Sequence, residues 1–195
     1  MDTTPRQAAA AREAILEAAT ELVRVQGVTG MSISDLVARS GTSAGAIYHH
    51  FGSKQGVVLE VARTAIARPL ELVLGTPSEA GFSPAQLIRA ALAQVVKNEK
   101  TSEVLLQIWA GAYADPELAG LLKSQGVGIR AMLLALARTW CEANAPTVDP
   151  EGLTEVMIGL VMGYAVQRSL LPESLLDAYP TTAQHLLALL ETELP

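Results

Sequence analysis

The residues best equipped for chemistry lie together in "SGTSAGAIYHHFGSK", Ser40 to Lys54. Glycines, adjacent histidines, Tyr48, Phe51 and Lys54 admit four readings: a phosphate cradle, a metal site, a catalytic site, or a grip on nucleic acid. A phosphate-binding P-loop needs G-x-x-x-x-G-K-[ST] after a strand, so that backbone N–H groups surround the phosphate. Gly41, Gly45 and Gly52 lack that spacing, and no strand signal precedes them. His49 and His50 are adjacent, so on a helix they point to different sides and cannot share a metal as an i, i+4 pair does. The single cysteine, Cys141, is far away in sequence. No metal and no cofactor is expected. Nucleophilic catalysis by Ser and His needs an orienting carboxylate and oxyanion donors. No such constellation is legible here, and the chain is not expected to be an enzyme.

These side chains need helices to hold them. Ile15, Ala18, Ala19, Leu22 and Val23 follow the i, i+3, i+4, i+7, i+8 spacing of one apolar stripe, and Gly27 supplies a stop. In "MSISDLVARSG" the pair Ser32 and Asp35 forms an S-x-x-D capping box; Ile33, Leu36 and Val37 face inward, and Gly41 ends the helix. A short helix follows from Ser43 to His49, and another opens at Ser53. A capped helix, a tight turn through Thr42 and a short second helix make a helix-turn-helix, whose second helix enters the DNA major groove by its N-terminal end. Ala44 and Gly45 would allow close approach to bases and phosphates, and Thr42 and Ser43 would supply hydroxyls. Ile47 would pack on Leu36. Tyr48, His49 and Lys54 would reach phosphate oxygens, the last beside a helix N-terminus. His50 and Phe51 read as core residues.

Residues from about Ala9 to Lys54, "ILEAATELVRVQGVTGMSISDLVARSGTSAGAIYHHFGSK" within them, resemble the DNA-binding domain of the TetR family of bacterial transcriptional regulators. The pattern includes the helix ending in Gln26-Gly27, Asp35-Leu36, Gly41 at the turn, Ser-x-Gly opening the next helix, and "IYHHF-x-SK". The resemblance implies that Ser43, Ala44 and Gly45 sit against base edges or sugar-phosphate, with Thr42, Tyr48, His49 and Lys54 on the backbone. Ala44 departs from the lysine or larger polar residue frequent in relatives: it can touch a thymine methyl but offers no hydrogen bond. Ile33 stands where relatives often carry a phosphate-binding threonine, a duty that would pass to Ser32 or Ser34.

The remainder reads as further helices punctuated by "GTPSEAGFSP", "NAPTVDP", Pro172 and Pro180, with Asp115-Pro116 and Asp149-Pro150 as helix starts. The expected fold is all-α, about nine helices, with a three-helix helix-turn-helix head over 1–54 and a ligand-binding and dimerisation body over 55–195. "GLTEVMIGLVMGYAVQRSLL" is apolar on nearly every face, so both of its sides need cover. One side would pack on its own domain and the other on a second subunit. The expected interface holds Val156, Gly159, Leu160, Gly163, Gln167, Leu186 and Leu190; the competing reading is one buried helix in a monomer. The resemblance also implies a small-molecule effector among the middle helices. Leu105, Trp109 and Tyr113 recur at i, i+4, i+8, with Met132 and Phe82 as candidate neighbours, although helix-spaced aromatics serve cores as readily as pockets.

The chain has 195 residues, half of them hydrophobic, and a net charge of −6. Up to Arg68 six acids stand against seven bases, and beyond it 14 acids against 7, a near-neutral head on an acidic body. The longest apolar run, Val156 to Val166, is short of the roughly 20 residues a spanning helix needs. The N-terminus carries charges where a signal peptide is apolar, and a lone cysteine favours a reducing compartment. A cytoplasmic homodimer is expected, binding a palindromic double-stranded DNA operator as a repressor and answering to a small, largely apolar ligand, with no membrane partner. The alternative is a ligand-binding or enzymatic helical bundle with a vestigial head.

Overall fold

A computed structural model describes residues 5–74, 83–97 and 99–192. Among these residues are nine α-helices and no strand: α1 (Pro5–Gly30), α2 (Ile33–Ser40), α3 (Ala44–Phe51), α4 (Lys54–Leu74), α5 (Pro84–Lys97), α6 (Glu99–Ala112), α7 (Pro116–Asn144), α8 (Pro150–Leu170) and α9 (Tyr179–Thr192). A short 3-10 turn, Glu173–Leu175, stands between the last two.

Local chemistry fixes most of the boundaries. Within α1 the helix breaks at Gly27, whose φ of 73° and ψ of 172° belong to a backbone region held almost only by glycine. The capping box opens α2 as the sequence predicts: Ser32 Oγ accepts the Asp35 N–H, and the Asp35 carboxylate accepts the Ser32 N–H. Gly41, left-handed at φ 65°, closes α2 by donating its N–H to the Val37 carbonyl. Asp115 Oδ1 accepts the N–H groups of Glu117 and Leu118 at the start of α7, and Asp149 Oδ2 accepts that of Gly152 at the start of α8. α7 runs unbroken through Gly126 and Gly128.

The chain forms two compact units. The first holds the residues up to Ala67 together with Glu103–Leu122. Its core joins Ile15, Ala19, Leu22 and Val23 of α1, Leu36, Ile47, and Val57, Val58 and Val61 of α4, to Val104, Ile108 and Leu118. Thus the core that supports the helix-turn-helix continues past Lys54 and takes in the later half of α6. The second unit comprises Arg68–Ser102 and the chain from Lys123 onward. There α5 packs against both α8 and α9, and Ile88, Leu92, Trp140, Cys141, Leu153, Met157, Tyr164 and Leu187 form the core. The Tyr164 and Tyr179 rings stack at 4.9 Å, and the Tyr179 hydroxyl donates to the Leu160 carbonyl at 2.9 Å.

Candidate nucleic-acid interface

The second helix of the helix-turn-helix is short, and Ile47 is its one fully buried side chain. Ile47 has no accessible surface and belongs to the same core as Leu36. Burying such a side chain contributes roughly 1.5–3 kcal/mol. With Ile47 inside, helical geometry turns Ala44, Gly45 and Tyr48 outward. Ser43, Ala44, Gly45, Tyr48 and His49 are exposed, and Tyr48 keeps 51% of its surface accessible. Ser43 caps the helix by accepting the Ala46 N–H at 3.1 Å, a bond that does not use its hydroxyl proton. A side chain added at Gly45 would meet only the Ser43 hydroxyl, at 3.7 Å, which leaves this end of α3 open for a close approach.

Behind α3 stands the start of α4. Ser53 Oγ accepts the Gly56 N–H at 2.9 Å and places Lys54 at the first turn, where helix N–H groups and an ammonium can both address an anion. Gly56 lies so close under α3 that a Cβ there would collide with the Phe51 carbonyl oxygen. This contact fixes the approach of α4 to the recognition helix, and no sequence pattern announces it. His50 is half-buried and sets its ring edge against Phe51, and Phe51 in turn lies under the Arg12 guanidinium at 5.4 Å. His49 is exposed with its ring 5.2 Å from that of His50.

The turn hydroxyls are more tightly engaged than their sequence suggests. Ser40 Oγ donates to the Leu36 carbonyl at 2.6 Å and lies 2.7 Å from Thr42 Oγ1. Ser32 Oγ donates to the Asp35 carboxylate at 2.5 Å and lies 2.8 Å from Ser34 Oγ. Thr42 is half-buried and Ser34 exposed.

A polar stripe holds this head to α6 within the first unit. Glu103, Gln107, Gly111 and Asp115 follow one another at four-residue spacing. Arg24 donates to Glu103 at 2.7 Å and forks onto Glu21. The carboxylates of Glu21 and then Glu103 hold its proton more firmly than usual, against the opposing effect of burial. A Cβ at Gly27 would lie 3.1 Å from the Gln107 amide oxygen, and one at Gly111 would lie 2.9 Å from Val28 Cγ2. The Asp115 carboxylate is held below its usual pKa chiefly by the Leu118 N–H, with help from Gln55 and Glu117.

The residues expected around a ligand are distributed between the units. Leu105 and Trp109, on α6 in the first unit, are half-buried, and Leu105 packs against the head core. The helix ends at Ala112, so Tyr113 falls in the following turn, 97% exposed. Met132 is half-buried on α7 in the second unit, and Phe82 lies outside the described residues. Of the residues expected to meet a second subunit, Val156 is 54% and Leu186 57% exposed, and Gly159 is open as well. Leu160 and Gln167 are half-buried, Gly163 faces the Tyr179 hydroxyl, and the Leu190 side chain lies outside the described residues. Cys141 is buried, and burial raises its thiol pKa, with the Asp149 charge adding to it. No described helix is long and apolar enough to cross a membrane.

Comparison with known proteins agrees with this architecture. A family model for bacterial regulatory proteins of the tetR family matches residues 15–61, and one for the C-terminal part of BetI-type transcriptional repressors matches 85–194. The transcriptional repressor AcnR of Corynebacterium efficiens is 30% identical over 158 residues, 80% of each chain. An HTH-type transcriptional regulator of Bacillus subtilis, YvdT, is 34% identical over 71 residues, which is 36% of this chain and 37% of that protein. GusR of Salmonella enterica superposes with a TM-score of 0.79 at 22% identity, over 97% of both chains. The chain belongs to the TetR family of bacterial transcriptional regulators.

Proposed function

We propose that the protein is a cytoplasmic repressor that binds a palindromic DNA operator as a homodimer. The observation that carries this reading is the exposed end of α3. Ser43, Ala44, Gly45, Tyr48 and His49 project from a helix anchored by Ile47, with Lys54 and the N-terminus of α4 beside them. Bare backbone and small side chains suit entry into a groove, and the flanking hydroxyls, imidazole and ammonium suit phosphates. Ala44 gives the helix no hydrogen-bonding reader at its second residue, so sequence selection there rests on contact with a thymine methyl. Val156, Gly159 and Leu186 supply an apolar face for a second copy of the chain, consistent with a two-fold arrangement of half-sites. A small, largely apolar effector would use Trp109, half-buried in the first unit, with Leu105 and Tyr113 of the same unit as further candidates.

The test is to select genomic fragments of the host that the purified protein shifts at low salt, then to titrate the best of them with salt. Palindromic fragments bound with a steep salt dependence are the expected result. Failure to shift any fragment sinks the reading. Quenching of Trp109 fluorescence in a Trp140→Phe variant by apolar compounds that release the fragment would identify the effector.

A further inference from the structure

Two hydroxyls at the helix-turn-helix are fixed in direction by proton counting. A serine or threonine hydroxyl has one proton to give and two lone pairs with which to accept. Ser32 gives its proton to the Asp35 carboxylate at 2.5 Å, an acceptor with none to return. The 2.8 Å contact between Ser32 and Ser34 must therefore be donated by Ser34. The same logic applies at the turn. Ser40 gives its proton to the Leu36 carbonyl at 2.6 Å, so the 2.7 Å contact to Ser40 is donated by Thr42. Ser40 Oγ also accepts the Thr42 N–H, at 3.3 Å. In both relays the outer hydroxyl sends its proton inward, so only its lone pairs remain for a further partner.

A phosphate oxygen is an acceptor and needs a donor, so neither hydroxyl is set to bind one. At Ser34 the relay ends on a carboxylate, which draws the protons inward and repels a phosphate placed nearby. On the major-groove edges of the bases, the donors are the amino groups of adenine N6 and cytosine N4. We propose that Ser34 and Thr42 face the operator as hydrogen-bond acceptors and that each selects, at one position of one strand, a base with an exocyclic amino group (adenine or cytosine) over one with an oxo group. This rests on the DNA-binding reading above. It reassigns Thr42 from holding the DNA backbone to reading a base, and it gives the head two polar readers that Ala44 cannot supply.

The experiment uses the full chain and a duplex that the wild-type protein binds. Affinities of wild type, Ser34→Ala and Thr42→Val are measured against every single base-pair substitution of one half-site, across a salt series. Each variant is expected to lose about fivefold on the parent duplex and to become indifferent at one pair, the slope against salt unchanged. Ser40→Ala frees the Thr42 proton to point outward. At the Thr42 pair it should move the preference from the amino-bearing base to one with an oxo group, which a merely structural role would not do. A variant that weakens all duplexes alike, one that lowers the salt slope by about one, or one that changes nothing overturns the proposal. If the wild-type protein binds no duplex, the DNA-binding reading itself fails, and that outcome is distinct from all of these.

Discussion

Gln55, at the start of α4, donates its side-chain amide to Asp115 Oδ2 at 2.5 Å, while Oδ1 of the same carboxylate caps α7. One acid thus ends the polar stripe that carries the head and begins the next helix. Asp115→Ala should cost about 1 kcal/mol, the usual worth of an N-cap, in urea or thermal unfolding. The carboxylate pKa is depressed in the folded chain, so its contribution is present above the ordinary aspartate pKa of about 3.9 and is lost as pH falls through the folded value. The stability gap between wild type and Asp115→Asn should therefore be full at neutral pH and narrow below about pH 4. A gap that widens in acid would contradict the assignment.

Gly111 approaches Val28 more closely than any side chain permits, since a Cβ would stand 2.9 Å from Cγ2 and 3.0 Å from Cβ of Val28. Gly111→Ala should destabilise by about 1–3 kcal/mol through overpacking, although alanine is the better helix former. In a Val28→Ala background the cost should fall but not vanish, because the Val28 Cβ at 3.0 Å remains. The double-mutant cycle reads the contact directly.

Lys54→Ala should weaken binding to cognate and non-cognate duplexes alike and flatten the salt dependence by about one counterion. Ala44→Gln should instead change which sequence is preferred, because it adds a reader that can pair with adenine. Fluorescence anisotropy on a panel of duplexes separates the two. Equal effects on all sequences from Ala44→Gln would place that residue away from the bases.

An alanine at Gly159 would meet no atom of its own chain within 4 Å, and the residue's backbone needs no glycine. Glycine inside a helix costs about 1 kcal/mol relative to alanine, and the second copy of the chain proposed against this face would account for it. Val156→Glu and Leu186→Glu should convert the proposed dimer to monomer in sedimentation equilibrium, and Gly159→Leu should weaken it. Unchanged association in all three would assign the interface elsewhere.

The sequence by itself determined the elements. Asp115-Pro116 and Asp149-Pro150 start helices because a carboxylate beside a φ-fixed proline can satisfy the first N–H groups in no better way. Ser32 with Asp35, and Gly41, bound α2 for reasons contained in a few residues. Apolar spacing likewise placed Ile15, Leu22, Leu36 and Ile47 inside, since helical period is a local property. The protons of Thr42 and Ser34 are likewise directed locally, by Ser40 with Leu36 and by Ser32 with Asp35, two to four positions away. Only the tertiary structure decided which distant polar groups meet. The meeting of Arg24 with Glu103, 79 positions apart, needed the fold to bring α6 beside α1. Tyr113 shares the spacing of Leu105 and Trp109, but α6 stops one residue before it, and the turn leaves the ring exposed. Periodicity chooses a helix face, and packing alone decides where that face ends and what it meets.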